Sequence, residues 1–495
     1  MNNISKFRID RNLDPVQQNK ILVNFIEEFS NNESLNFLIN NLGSLYSVPN
    51  KVFEQDIQNM IFLDYRNSLG KFLPKYGIGK AIIGFFKYAL FFLWILIFRN
   101  KKEKKIEKLD IIIDEIDHEA ILWRFKPFAE KFKNYKYITS YVSKEKNTYF
   151  WNNYKNLNIR FNIKDAYKFV LLILLSLKKS LKDRINYVDI IFLLHRRIIK
   201  YKDIFSKIQS DYLLQDRHFT TSSLKSFIFK KYNGKKTILY QRNIAQINGP
   251  GMYTFADYFF SLGNLTHLQY LKCESKFEKV FPVGSFFMNS VKFNKKEEAS
   301  GVPSYDLLHI ASNMNHFQNT HNCFLDDWYE QFNWLVRFNK KYPQYKVGIK
   351  GRIGDGLKEN KKFMKIITSS KIEFIDSFIE NKSEEFSHNS LHSYDFAFKA
   401  KVNCTWQSTL GFELIGHGKP CMFLDPGGRN IAHLPNDDYH SALKVKDYDS
   451  FEAEFFKILK NESKYSNLKS DDYCLNSKST HTKMYEILNN KSYGN

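Results

Sequence analysis

The chain has 495 residues, 74 Lys and Arg against 52 Asp and Glu, and a formal net charge of +22. Hydrophobic residues make up 43%, with 21 Gly and 11 Pro, which excludes a disordered or collagen-like chain and leaves apolar material for roughly two to four domains. The five Cys (Cys273, Cys323, Cys404, Cys421 and Cys474) have no paired metal spacing and no disulfide framework, so a reducing compartment fits.

Residues 1–78 read as a helical N-terminal extension. Met1–Asn12 is polar, and no cleavable signal peptide is expected. Asp14-Pro15 suits a helix start, and Ile21, Phe25 and Phe29 recur at helical spacing. A second helix is expected over Val52–Leu63. No chemistry is legible in this stretch, which reads as a self-contained helical cap or protein contact.

Residues 79–105 read as a membrane-associating helix. Ile82–Phe98 is apolar apart from Lys87, with Lys71, Lys75 and Lys80 before it and Arg99, Lys101, Lys102, Lys104 and Lys105 after it. A helix of that length reaches about 26 Å, against a hydrocarbon core of about 30 Å. Spanning, lying in the interface and packing as a core helix are the alternatives. The interfacial placement satisfies the basic flanks and Trp94 most easily. The basic excess as a whole points to polyanions: nucleotide phosphates or an anionic membrane surface. Lys is spread along the chain and no RNA- or DNA-binding signature occurs, so no nucleic acid partner is expected.

Residues 106–293 alternate strand and helix. Strands are expected at Leu109–Ile113, Tyr137–Val142, Tyr212–Leu214, Thr237–Tyr240, Asp257–Ser261 and Val280–Val283. Helices are expected at 169–182, 187–208 and 222–231. The alternation implies βαβ units and a parallel sheet covered on both faces. Residues 294–304, charged and small up to Pro303, form the linker. A second alternating series fills 305–475, with strands at Asp306–Ala311, Tyr345–Lys350, Lys371–Phe374, Phe396–Val402 and Cys421–Leu424, and helices at 324–341 and 450–459. Residues 476–495 form a polar tail. The fold class is therefore α/β, two tandem Rossmann-like domains behind a helical and membrane-facing front.

Thr405–Asn430, TWQSTLGFELIGHGKPCMFLDPGGRN, carries the most chemistry. A strand ends near Cys404. Gln407, Ser408 and Thr409 then offer hydroxyls and backbone N–H groups at a helix N-terminus, an anion site. Gly411 permits a close backbone approach, and Glu413 suits a ribose. The Asp425-Pro426-Gly427-Gly428 loop follows a strand's carboxyl end, where open α/β sheets bind ligands. Asp447-Tyr448-Asp449 has the spacing of a divalent-metal motif, but it directly precedes a helix and reads as an N-cap. His417 and His433 lack a third ligand, so no metal site is expected.

The segment STLGFELIGHGKPCMFLDP resembles the donor side of GT-B glycosyltransferases that build bacterial surface polysaccharides such as capsule, O-antigen and lipopolysaccharide. KKTILYQRNIAQING, ADYFFSLG, FEKVFPVGSFF, DLLHIASNMN and YPQYKVGIKGR follow the family's order across roughly residues 106–475. Where some relatives have Gln-His-Gly, this chain has Gln241-Arg242-Asn243. Where others have Lys-Pro-His-Pro, it has Lys350-Gly351-Arg352.

The resemblance implies sugar transfer from a nucleotide-sugar co-substrate, with no bound cofactor, to a growing and lipid-linked glycan acceptor at the cytoplasmic face of the bacterial inner membrane. It assigns Ser312, Asn313, Lys350, Arg352, Gln407, Ser408, Thr409, Gly411 and Glu413 to the donor, and Gln241 and Asn243 to the acceptor side. An inverting transfer needs a general base. Asp216, His218 and Asp117 are the first candidates, with Asp114, Glu115 and His118 beside them. Transfer of a polyol phosphate from a CDP donor, nucleotide-sugar epimerisation, and a non-catalytic assembly factor of the same fold are the alternatives.

Overall fold

The computed structural model describes residues 9–10, 13, 15–68, 77–98, 106–116, 119–151, 163–215, 221–244, 253–271, 274–290, 304–311, 323–351, 356–375, 393–428, 444–461, 469–476 and 479–489. The linker residues 294–303 lie outside them.

The first sheet contains β1 (Glu107–Ile116), β2 (Tyr135–Thr139), β3 (Thr148–Phe150), β4 (Ile208–Gln215), β5 (Lys236–Tyr240), β6 (Phe255–Ser261) and β7 (Lys276–Pro282). They run parallel in the order β3-β2-β1-β4-β5-β6-β7. The apolar run of β1 explains its central place. Ile111 and Ile113 enter the core on one face, Ile112 enters the core on the other, and all three are fully buried. The sheet is longer at its strands than the sequence suggests. β4 begins at Ile208, because Gln209, Ser210 and Asp211 hide a strand inside what reads as the end of a helix.

Before this sheet come α1 (Pro15–Ser30), α2 (Glu33–Tyr46), α3 (Asn50–Ser68) and α4 (Ile78–Phe98). Within it lie α5 (Glu119–Ala129), α6 (Ile163–Asp183), α7 (Tyr187–Phe205), α8 (Ser223–Lys231), α9 (Leu268–Leu271) and α10 (Phe286–Ser290). The N-terminal helices are not a detached cap. Leu35, Leu38, Phe53 and Ile57 share one core with Tyr88 of α4 and with Leu194 and Ile198 of α7. Asp56 of α3 is fully buried and accepts from Arg197 Nη1 at 2.6 Å and Ser222 Oγ at 2.5 Å. His195 of α7 lies between two hydroxyls, Tyr88 OH at 2.9 Å from Nδ1 and Tyr46 OH at Nε2. Burial pushes the His195 pKa down to about 3, so the ring is neutral and ties α2 and α4 to α7.

The second sheet contains β8 (Leu307–Ile310), β9 (Val347–Lys350), β10 (Glu373–Ile375), β11 (Val402–Thr405), β12 (Cys421–Leu424) and β13 (Lys444–Val445), parallel in the order β10-β9-β8-β11-β12-β13. Counted within the sheet this is 3-2-1-4-5-6, the doubly wound order. Its helices are α11 (Cys323–Lys341), α12 (Lys361–Ile367), α13 (393–399), α14 (Thr409–Gly416) and α15 (Tyr448–Leu459). Residues 396–402 are thus not one strand. Phe396, Phe398 and their neighbours alternate at period two, yet the segment is helical up to 399, and β11 starts at Val402. Asp447 caps α15, its Oδ1 accepting from Ser450 N at 2.8 Å.

The tail also differs from the polar reading. After a 3-10 turn at Ser470–Asp472, α16 (Thr480–Asn489) packs on the first domain. Met484, Ile487 and Leu488 join Phe125, Phe128 and Phe286 in one core. The crossing chain is fixed by Asn264 N to Asp471 O at 2.8 Å and Leu475 N to Leu262 O at 2.8 Å. Gly263 and Gly416 make room for it. A Cβ on Gly263 would lie 2.5 Å from Asp472 O, and one on Gly416 would lie 2.1 Å from Cys474 O.

Candidate functional site

Each sheet has a switch point, where connections leave neighbouring strands in opposite directions and the carboxyl ends open a crevice. In the second sheet it lies between β8 and β11. Thr405 Oγ1 donates to Ile310 O at 2.8 Å and bridges the two strand ends. Ser408 follows as the N-cap of α14, with extended backbone (φ −74°, ψ 136°) and its Oγ accepting from Leu410 N at 3.3 Å. The N-terminal amides of α14 therefore point to the carboxyl edge, a favourable place for negative charge. Gln407 is buried, and among the described residues its Oε1 has no hydrogen-bond partner. Lys350 ends β9, the strand beside β8, with Nζ donating to Gly351 O at 3.1 Å. It is almost wholly buried.

Gly411 serves packing. Its Cβ would lie 2.9 Å from Phe423 Cζ and 3.1 Å from Thr405 Cγ2, so the close approach it permits is that of α14 to its own sheet. Glu413 reaches the other domain. Its carboxylate accepts from Tyr394 OH of α13 at 2.6 Å and from Ser285 Oγ, which follows β7. Burial raises its pKa to about 7, against the lowering by the Ser285 and Tyr394 hydroxyls. The sequence reading gives Glu413 to a ribose; in the structure both carboxylate oxygens are engaged by protein hydroxyls.

The first sheet switches between β1 and β4. Here β1 bulges, its register with β2 shifting between Ile113 and Ile116, and Glu115 has a left-handed backbone (φ 69°). Such a residue is strained and is re-aimed by the bulge. Lys225, near the start of α8, reaches both carboxylates, 2.7 Å from Asp114 Oδ2 and 2.5 Å from Glu115 Oε1. Burial works to raise the Asp114 pKa, but Lys225 and Lys200 more than offset it and hold it below the ordinary value. Burial likewise works against the Lys225 charge, and the two carboxylates raise its pKa above the normal lysine range. Gln215, the last residue of β4, is fully buried, and among the described residues neither of its side-chain polar atoms has a partner. Buried amides without partners are uncommon, and Gln215 and Gln407 stand at the two switch points. Sequence reasoning missed Lys225, Gln215, Ser285 and Tyr394. A lysine in the first turn of a helix that follows a strand was the one available signal, and it is a weak one.

The two carboxyl edges meet. Ile244 N, in the segment after β5, donates to Thr409 Oγ1 at 3.3 Å. Asn243, in the same segment, is held by Tyr270 OH donating to its carbonyl at 2.8 Å. The segment after β5 and the start of α14 thus come together at Ile244 and Thr409. Gln241 is buried beneath them, its Oε1 accepting from Leu262 N at 2.9 Å and Thr266 Oγ1 at 2.7 Å, so it shapes the loop. Asp117, His118, Asp216, His218, Ser312, Asn313, Arg352 and His433 lie outside the described residues. In the chain they follow β1, β4, β8, β9 and β12. Among the described residues no group of His, Cys, Asp and Glu is arranged to hold a metal.

Two parallel, doubly wound α/β domains meeting at their carboxyl edges make this a GT-B-type architecture. No family model and no curated protein matches the chain. Among solved structures it is similar to a UDP-GlcNAc 2-epimerase from Neisseria meningitidis bound to UDP-GlcNAc, at 11% identity and TM-score 0.44, over 77% of this chain and 99% of that one. It is similar to the wall teichoic acid polymerase TagF at 11% identity and TM-score 0.43, over 83% and 98%. A mutant O-GlcNAc transferase from Thermobaculum terrenum gives 10% identity and TM-score 0.37, over 96% and 82%. The fold assignment here rests on the strand orders themselves.

Proposed function

We propose that the protein is a glycosyltransferase that moves a sugar from a nucleotide-sugar donor to a growing, lipid-linked surface polysaccharide at the cytoplasmic membrane face. The observation that carries the reading is the junction at Ile244 and Thr409. It brings the carboxyl edge of the second sheet, which this reading gives to the donor phosphates, against that of the first.

In this reading the diphosphate lies on the N-terminus of α14, near Ser408, Thr409 and Gln407, with Lys350 supplying positive charge as the sugar–phosphate bond breaks. Ser312, Asn313 and Arg352 complete the donor side. Glu413 holds the two domains together and exchanges a protein hydroxyl for the donor ribose. The acceptor hydroxyl bonds to the anomeric carbon, the nucleotide diphosphate leaves, and the acceptor proton passes to a base among Asp117, Asp216 and His218. Asn243 lies on the acceptor side, where α4 brings lipid-linked substrate near.

The test is transfer of label from a nucleotide sugar to a membrane acceptor, with thermal stability measured against CMP, CDP, UDP and GDP. A ligand at 100 times its dissociation constant adds about 2.7 kcal/mol to the folded state. A raised midpoint with one nucleotide, lost on Lys350→Met, supports the reading. A flat response from folded protein, together with no transfer, overturns it. Analysis for a phosphodiester instead of a glycosidic product separates polyol-phosphate transfer.

A further inference from the structure

α4 is long and apolar enough to cross a membrane by composition, but one face of it is already taken by protein. Ala81, Gly84, Tyr88, Phe92 and Ile95 are buried at helical spacing. Gly84 lies so close to α7 that a Cβ would sit 2.7 Å from Asp189 Oδ1. The opposite face carries Ile83 (56% exposed), Phe86 (60%), Leu90 (64%) and Leu93 (53%). This is a helix with one protein side and one bare apolar side.

α6 repeats the pattern. Phe169, Leu172 and Ile173 face inward, while Tyr167 (69%), Val170 (45%), Leu171 (37%) and Leu174 (51%) are exposed. The two helices are neighbours, with the rings of Phe92 and Phe169 stacked at 4.0 Å. They pack antiparallel. Gly84 and Tyr88 of α4 meet Asp189 and His195 of α7 in the same chain direction, and α6 and α7 form a hairpin closed by Tyr187 N to Ser180 Oγ at 2.9 Å. Both helices rest on α7, so both bare stripes face away from it.

A soluble monomer rarely exposes an apolar patch of more than about 300–600 Å². This one has a largely basic rim, with Asp189 of α7 exposed among the lysines beside Gly84. Lys80 and Lys87 on α4, and Lys164, Lys168, Lys178 and Lys182 on α6, are all exposed, and α4 has no acidic residue. The acidic residues of α6, Asp165 and Asp183, are half-buried.

We infer that α4 and α6 together form one membrane-docking face that lies flat on an anionic lipid surface, its apolar stripes in the acyl boundary and its lysines at the phosphates. Charge complementarity selects this occupant, because a second copy of the chain would bring like-charged lysines against it. The face deepens the membrane placement proposed above and rests on it, and vesicle binding tests it apart from catalysis.

The experiment is flotation of the detergent-purified full chain with vesicles of phosphatidylcholine alone or with one-third phosphatidylglycerol. The expected result is binding to the anionic vesicles at least ten-fold stronger. Val170→Glu with Leu174→Glu on α6 should lower it at least ten-fold, and Phe86→Glu with Leu90→Glu on α4 should do the same. Lys168→Gln should cost about fivefold at low salt. The α6 variant should keep its circular dichroism and any nucleotide-dependent rise in midpoint, which separates lost docking from lost folding or a failed enzyme reading. Wild-type binding by the α6 variant overturns the two-helix face and leaves α4 alone. Equal binding to neutral vesicles overturns the anionic partner. A shift from dimer to monomer in the α6 variant with vesicle binding unchanged assigns the face to a second copy and overturns the inference.

Discussion

The hydroxyl of Ser285, just beyond the last strand of the first sheet, donates to the carboxylate of Glu413 on α14, at the carboxyl edge of the second. With Tyr394 on the other oxygen, a single buried acid spans the domain seam.

Its titration gives a first prediction. The folded-state pKa is about 7 against an ordinary 4.5. The unfolded chain therefore releases this proton first, and the Glu413 contribution to stability falls as pH rises from about 4.5 to about 7. The loss is about 3 kcal/mol at most and is complete above that window. Glu413→Gln keeps the shape and removes the titration. The difference in unfolding free energy between wild type and variant, measured by urea at pH 4.5, 6 and 7.5, should shift in favour of the variant as pH rises. A difference that stays constant with pH contradicts this account.

Lys225 gives a second. It is the shared cation of Asp114 and Glu115, and all three are largely withdrawn from water. Lys225→Met leaves two buried carboxylates without their partner, a change that costs about 3–5 kcal/mol. Chemical denaturation should show it. The triply substituted protein, with Asp114→Asn and Glu115→Gln added, should regain a substantial part of the loss.

Two glycines of α14 should respond unequally. A methyl on Gly411 meets side chains, Phe423 and Thr405, that can shift, so Gly411→Ala should cost about 1–3 kcal/mol. A methyl on Gly416 meets the backbone carbonyl of Cys474, which cannot yield without moving the crossing chain. Gly416→Ala should lower the thermal midpoint more than Gly411→Ala does. Equal midpoints would show that the crossing is not tight.

The proposed donor side gives the fourth. Lys350→Met removes a cation from the end of β9, and charged hydrogen bonds contribute about 1.5–3 kcal/mol each. Nucleotide diphosphate affinity should fall by about ten-fold or more. Ser408→Ala removes the cap of α14 and should cost about 0.5–2 kcal/mol of stability. Calorimetric titration of folded variants checks the first value and urea unfolding the second.

The two sheets were legible because their central strands are unbroken apolar runs. LDIII, DLLHIA and CMFL read as buried parallel strands and are β1, β8 and β12. Sequence periodicity failed where two periods overlap. FAFKAKV alternates like a strand but is helical through 399. The tail helix turns Met484, Ile487 and Leu488 to the core, with Tyr485 and His481 packed beside them, and its polar residues mask that stripe in sequence. The exposed leucines of α6 look the same in sequence as buried ones, since composition does not say which face finds a partner. At the site, the Ser408 turn was readable from its cap. The Ser285, Tyr394 and Lys225 partners were not, because Ser285 and Lys225 lie 128 and 110 residues from their partners and Tyr394 lies across one strand, 19 residues away, and nothing local marks them.

The return of α16 to the first domain orders events during synthesis. Phe286 and Met484 share one core but are about 200 residues apart, so about 10–40 s of ribosome travel separates them at ~5–20 residues per second. For that interval Phe125, Phe128 and Phe286 wait without the surface that closes over them. The first domain thus begins folding first and finishes last, with the second domain folded inside that delay. The core shared between Phe286 and α16 couples the first domain to the chain that follows the second. A lesion in the second domain should therefore leave the first open to chaperones or aggregation, although no residue of its sheet has changed.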